Sequence, residues 1–313
     1  VSPNPETRFS TPRRWGRFAR ERFPPHLHLP VIALIVTANG LIGGRMLAVP
    51  VSALRLVVAF TVAVLFFFRL RCFDEIKDYT VDLELNPARP LARGLLTVRQ
   101  MKQMFLSLTV IELAVVAVFG PTALCVYALA VAYSYLMYRE FFIGRFLRPH
   151  LTTYAVTHTF VSVLIALSVM TLATGVPARN FPVDLLGFAL VNWALFNVFE
   201  FARKTFAAAE ETPGADSYSR RFGPRGAVAL CVSQIVCAVL LLALLPVGIP
   251  RIPGGWPSVW TLHLGLGLLP LAAGFWYVWK ADARAATQYR VASGLYQLLF
   301  YALLTWQAFE GGA

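Results

Sequence analysis

A chain of 313 residues that is 58% hydrophobic and only 14% charged is not composed like a soluble domain, which is nearer half apolar and a quarter charged. Its net charge of +12 lies between long apolar runs, so it reads as a topology signal rather than a nucleic-acid surface. Runs that reach the roughly 20 apolar residues a bilayer core requires must be helices, because lipid offers the backbone no other partner. The short alternating segments of a membrane β-barrel are not evident.

The first residues, VSPNPETRFSTPRRWGRFARER, are rich in Pro and Arg. Without an apolar signal core, residues 1–28 read as a basic cytoplasmic segment that meets anionic lipid headgroups. Apolar runs then predict membrane helices at 29–47 and 51–70, a polar stretch at 71–103, and helices from 104 to 119 and, after Gly120-Pro121, to about 137. The polar segment YREFFIGRFLRPH leads to helices at 151–174 and 183–201. A second polar stretch, 202–225, precedes helices at 226–245, 259–279 and 291–309. The expectation is an all-α integral membrane protein of about nine helices, with 29–313 as one transmembrane domain.

Charge placement tests the arrangement. With the N-terminus cytoplasmic, 24 of the 28 Lys and Arg lie inside, and only Arg45, Arg55, Arg179 and Arg251 lie outside. That asymmetry predicts N-inside, C-outside and motif loops 71–103 and 202–225 in the cytoplasm. It suits a bacterial inner membrane or an organelle membrane. The outside connections, including TGVPARNFP and PVGIPRIPGGWPS, are short and rich in Gly and Pro. Chemistry is therefore sought in the long, charged inside loops.

The first of them reads RLRCFDEIKDYTVDLELNPARPLARG. Asp74, Asp78 and Asp82 recur every fourth residue with Glu75 beside the first, so a continuing helix would place them near one face. Carboxylates so arranged repel, and a divalent cation removes the conflict; hard oxygen ligands suit Mg²⁺. Arg89 and Arg93 follow as candidate phosphate donors, and Pro87 and Pro90 would stop the helix. The alternative is a solvated face on which the acids pair with Arg71, Lys77, Arg89 and Arg93.

These residues resemble the UbiA family of intramembrane prenyltransferases, whose members carry N-D-x-x-D-x-x-x-D after the second helix and then N-R-P-L-x-x-G. Asp78 and Asp82 match the second and third aspartates, Glu75 the first, Asp74 the asparagine, and Pro87 to Gly94 the downstream segment. The resemblance implies a nine-helix bundle with a second acidic motif, D-x-x-x-D, after the sixth helix. There this chain has Glu200 and, with reversed charge, Lys204, a pair that would otherwise be a plain helix salt bridge. The resemblance further implies metal binding by Glu75, Asp78, Asp82 and Glu200. It makes Asp78, Asp82 and Lys204 the catalytic set and Asp74, Arg89, Arg93, Asn197, Glu200, Tyr138 and Arg139 the substrate-binding set. A prenyl diphosphate would ionise against Mg²⁺ and be captured by a lipid-soluble acceptor, such as an aromatic ring.

Lys204 keeps two other readings open. A lysine in this motif also occurs in relatives that transfer phosphoribosyl from phosphoribosyl diphosphate to a polyprenyl phosphate. The altered motifs equally suit a non-catalytic lipid-binding or accessory subunit. Among remaining polar residues in apolar runs, Glu112, His158, Asn192, Gln234 and His263 are functional candidates by default. Gly40 and Gly44 mark close helix packing. Cys72, Cys125, Cys231 and Cys237 form no CxxC pair and read as structural thiols.

Overall fold

The computed structural model describes residues 10–212, 214, 216–245 and 259–310. The start of the basic segment, including Arg8, and the connection carrying Arg251 lie outside the described residues. The helices are α1 (Thr11–Arg22), α2 (Pro25–Met46), α3 (Ala53–Lys77), α4 (Tyr79–Leu85), α5 (Val98–Ala117), α6 (Pro121–Tyr138), α7 (Gly144–Leu147), α8 (Leu151–Thr159), α9 (Val161–Thr174), α10 (Val183–Arg203), α11 (Tyr218–Leu244), α12 (Val259–Lys280) and α13 (Ala283–Glu310). Their order follows the apolar runs, and helix is the state that satisfies the backbone internally.

The long helices form a closed ring. Successive members of α2, α3, α5, α6, α9, α10, α11, α12 and α13 pack side by side, and α13 returns to α2. Among the described residues, eight spans are long and apolar enough to cross a membrane. The remaining ring helix, α13, has a polar start, yet it reaches both ends of the bundle. Arg290 near its start bonds the Thr205 carbonyl, and the Phe309 carbonyl near its end accepts from Arg45. At Gly40 and Gly44 an added Cβ would stand 2.5 Å from Leu56 and 2.3 Å from Val51, so the small residues set the close approach of α2 to the start of α3.

Several boundaries differ from the apolar runs for a physical reason: apolarity marks what lies in lipid, and helices continue past it. Thus α3 runs on to Lys77, and Asp74 and Glu75 lie within it rather than in a loop. Arg69, grouped with the loop charges by position, is fully buried in α3. Residues 11–22 are a docked helix rather than a simple tail. Helix α11 takes in Tyr218–Arg225 and bends at Gly223, whose φ of 71° is open to glycine, followed by Pro224.

Candidate active site at the motif-bearing end of the bundle

One end of the ring collects α1, the α3–α5 connection, the α6–α8 connection and the α10–α11 connection. The first motif is built on the end of α3 and on α4. Asp78 caps α3 and leads into α4, and the amide ladder continues across it from Asp78 to the Asp74 carbonyl (2.9 Å) and from Asp82 to the Asp78 carbonyl (2.8 Å). The fourfold spacing therefore survives the break, and Asp74, Asp78 and Asp82 act electrostatically on one another. Partial burial pushes the Asp78 carboxyl above the usual carboxylate range. Asp74 and Asp82 add to that push, and Arg89 and Lys77 offset it only in part.

The arginines of the downstream segment divide. Arg89 reaches back over α4, with Nη1 3.1 Å from Asp82 Oδ2 and 3.6 Å from Asp78 Oδ2. Asp82 is 4% exposed and also accepts from Asn86 at 2.9 Å. Arg93 turns the other way. Its two terminal nitrogens donate to the Glu21 carboxylate of α1 at 2.8 Å each, and Nη1 also donates to the Ala88 carbonyl. Glu75 is 1% exposed; it pairs with Arg22 of α1 and accepts from the Leu91 amide at 3.4 Å.

The second motif lies across from the first. Glu200 pairs with both Arg203 and Lys204, the latter at 3.2 Å. Asp74, itself 3.1 Å from Arg71, acts electrostatically on Arg203. Asn197, one turn earlier, accepts from Thr159 and donates to Gln234 at 3.0 Å; it ties α8, α10 and α11 together. The further acids of this loop brace it: Glu210 holds Arg290 at 2.7 Å and Glu211 accepts from Ser217 and Ser219.

Two cations escaped the sequence reading as site residues. Arg203 lies between the matched positions and looked like an ordinary loop charge. Lys77 looked like a counter-ion; instead it donates to the Tyr154 hydroxyl at 2.7 Å, and Tyr154 stacks on His158 at 3.9 Å. Lys77, Tyr138, Arg139, Phe142 and Arg148 line a cleft of about 370 Å³ at this end. Tyr138 also stacks on Phe73 at 4.7 Å. A larger cleft of about 720 Å³ lies along α12 and α13, around Trp276 and Lys280; it contains no motif residue, so size does not identify the site here. Of the other candidates, Asn192 exchanges hydrogen bonds with Asn39 at 2.9 Å across α2 and α10. The cysteines are free.

The donor set fits one hard cation better than two. Asp74 and Asp78 are half-exposed beside the buried Asp82, whereas Glu200 is already paired with two cations. Among the described residues, no group of three or more His, Cys, Asp or Glu is placed to hold a metal ion by itself, so a cation here would need ligands from outside the protein. That is the condition under which Mg²⁺ takes one or two carboxylates and completes its shell with phosphate oxygens and water.

The family model described as the UbiA prenyltransferase family matches residues 27–304. No curated protein sequence matches the chain. Among solved structures, a UbiA homologue from Aeropyrum pernix K1 is 16% identical, with TM-score 0.60 over 90% of this chain and 96% of its own. A digeranylgeranylglyceryl phosphate synthase in membranes is 15% identical, with TM-score 0.61 over 95% and 99%. A UbiA homologue from Archaeoglobus fulgidus bound to GPP and Mg²⁺ is 14% identical, with TM-score 0.51 over 88% and 97%.

Proposed function

The chain belongs to the UbiA prenyltransferase family, and from that premise we propose that it transfers a prenyl group from a prenyl diphosphate to a lipid-soluble acceptor, with Mg²⁺ at the first motif. The observation that carries this reading is the proximity of the two motifs. Asp74 of the first motif acts electrostatically on Arg203 of the second, and Arg203 and Lys204 both pair with Glu200, so anionic and cationic groups of the two motifs lie near one another. A fold relative bound to GPP and Mg²⁺ supports the donor class.

In this reading Asp78, with Asp74 or Asp82 beside it, would hold the cation, which when bound supplies charge neutralisation for a leaving diphosphate. Arg89 holds Asp82 in orientation through their ion pair. Arg203 and Lys204 lie where charge develops on the leaving group, and Lys204 supplies there the charge that a second acidic pair would have recruited with a metal. Asn197, Thr159 and Gln234 fix α10 so that Arg203 and Lys204 stay aimed. The bundle excludes water from an allylic cation as it meets the acceptor. Residues 29–313 act as one transmembrane domain with its motif loops in the cytoplasm, in a bacterial inner membrane.

The test is binding of farnesyl and geranylgeranyl diphosphate to the purified protein, with and without Mg²⁺, against phosphoribosyl diphosphate as competitor. The expected result is Mg²⁺-dependent prenyl diphosphate binding that the competitor does not displace. Displacement would transfer the assignment to phosphoribosyl transfer, with Lys204 as the defining residue. Binding of neither donor would leave a lipid-binding or accessory scaffold.

A further inference from the structure

Helix α1 precedes the residues matched by the family model, yet it grips the first motif. Phe18 is fully buried, in one cluster with Cys72, Phe73, Leu91 and Leu95. Phe18 meets Phe68 of α3 edge-on at 5.8 Å, and Phe23, which follows α1, does so at 5.6 Å. Two ion pairs flank this apolar contact. Glu21 holds Arg93 through both carboxylate oxygens, and Arg22 holds the buried Glu75. The Arg93 guanidinium keeps the Glu21 carboxyl below the usual carboxylate range, so the pair is ionised at neutral pH.

We propose that α1 is a clamp on the first-motif loop, and that Arg93 and Glu75 serve the reaction through α1 as positioning residues rather than as ligands of diphosphate or metal. The geometry divides the motif into two faces. Asp74, Asp78, Asp82 and Arg89 share one side. Glu75 and Arg93, adjacent to them in sequence, have their polar atoms occupied by α1 and by the Ala88 and Leu91 backbone. Residues 86–94, which present Arg89 to Asp78 and Asp82, are thus held from behind, and Arg89 reaches its partners only while they are held. Glu75, matched by position to a metal-binding aspartate, is an anchor in this chain.

The proposal rests on the prenyl-transfer reading for its kinetic arm only; amide hydrogen exchange across residues 11–22 reports the clamp with no substrate present. Arg93→Glu is expected to speed exchange throughout α1 and lower kcat by roughly 10–100-fold, the size expected from misplacing a catalytic loop. The double variant Glu21→Arg/Arg93→Glu restores the pair with its polarity reversed. It should return both slow exchange and kcat to within about threefold of the parent, as a pair acting on each other requires. A double variant that regains slow exchange but stays as inactive as Arg93→Glu would overturn the proposal, because Arg93 would then be touching the diphosphate. Glu75→Gln, nearly isosteric, should loosen α1 and leave the Mg²⁺ concentration for half-maximal binding within about threefold. A loss of Mg²⁺ response with α1 still protected would make Glu75 a metal ligand and sink the anchor assignment. If the parent protein transfers no prenyl group, the functional reading fails alone, and exchange still decides the clamp.

Discussion

Asp78→Asn is expected to lower Mg²⁺-dependent prenyl transfer by on the order of 10³-fold, the scale of losing a central electrostatic contact to a leaving group. It should do so without lowering the thermal stability of the detergent-solubilised protein. Both halves follow from one observation: Asp78 is a carboxyl that the fold holds above its usual range through burial and the neighbouring Asp74 and Asp82. Folding therefore favours the protonated form of Asp78. A group raised in this way stabilises the fold at pH values below its unfolded pKa, and that contribution is lost as pH rises through the folded value. Ionising Asp78 is thus a net liability in the metal-free protein, and an amide in its place removes the liability. Bound Mg²⁺ reverses the balance, because it needs the ionised form.

The accompanying pH dependence has the same sign. The metal-free protein should lose melting temperature as pH rises through the raised Asp78 value. Mg²⁺ should restore it, with an increment that shrinks on acidification as protons compete for the carboxylate. Melting curves across pH, with and without Mg²⁺, check this for the parent and for Asp78→Asn, in which the response should flatten. Asp82→Asn is the contrast. Asp82 is buried against Arg89 and Asn86, so its loss should cost stability as well as activity. Full transfer activity in Asp78→Asn would remove Asp78 from the site.

What the sequence made legible was whatever depends on local pattern. The apolar runs located the ring helices, because lipid dictates both their length and their state. The fourfold spacing of Asp74, Asp78 and Asp82 predicted a shared face that survives the break at Asp78, because amide bonding continues through it. Pairings between distant segments were not legible. Nothing in TPRRWGRFARER announces that Arg22 meets Glu75 or that Glu21 meets Arg93; both contacts span dozens of residues and are set by where α1 docks. The apolar positions Trp15 and Phe18, three apart on a basic background, were the available hint of a packed helix face. Arg69 was misplaced for a related reason. A charge count assigns an arginine near a helix end to the water, and only the packed bundle shows a partner waiting inside.

That partner leads to the second large effect. Arg69 and Glu112 are both fully buried, with Nη2 3.1 Å from Oε2 and Nε 3.2 Å from Oε1. Ser134 accepts from the guanidinium at 2.7 Å, Tyr127 donates to the carboxylate at 2.8 Å, and the Phe66 ring lies 4.7 Å from the cation. Removing one member strands the other without water to solvate it. Glu112→Ala is therefore expected to cost about 3–5 kcal/mol, enough to deplete folded protein on size-exclusion chromatography. Replacing both members with apolar residues of similar size, as in Arg69→Met/Glu112→Leu, should recover most of that loss. Activity then separates two roles for an acid within the membrane. The pair joins α3, α5 and α6 and so fixes the helix whose end presents Asp74 and Asp78. If that is its whole contribution, the folded double variant transfers prenyl groups at close to the parent rate. A double variant that folds with parental stability and is inactive would show that Glu112 or Arg69 handles charge during the reaction, and the site would then extend from the motif-bearing end into the core between α3, α5 and α6.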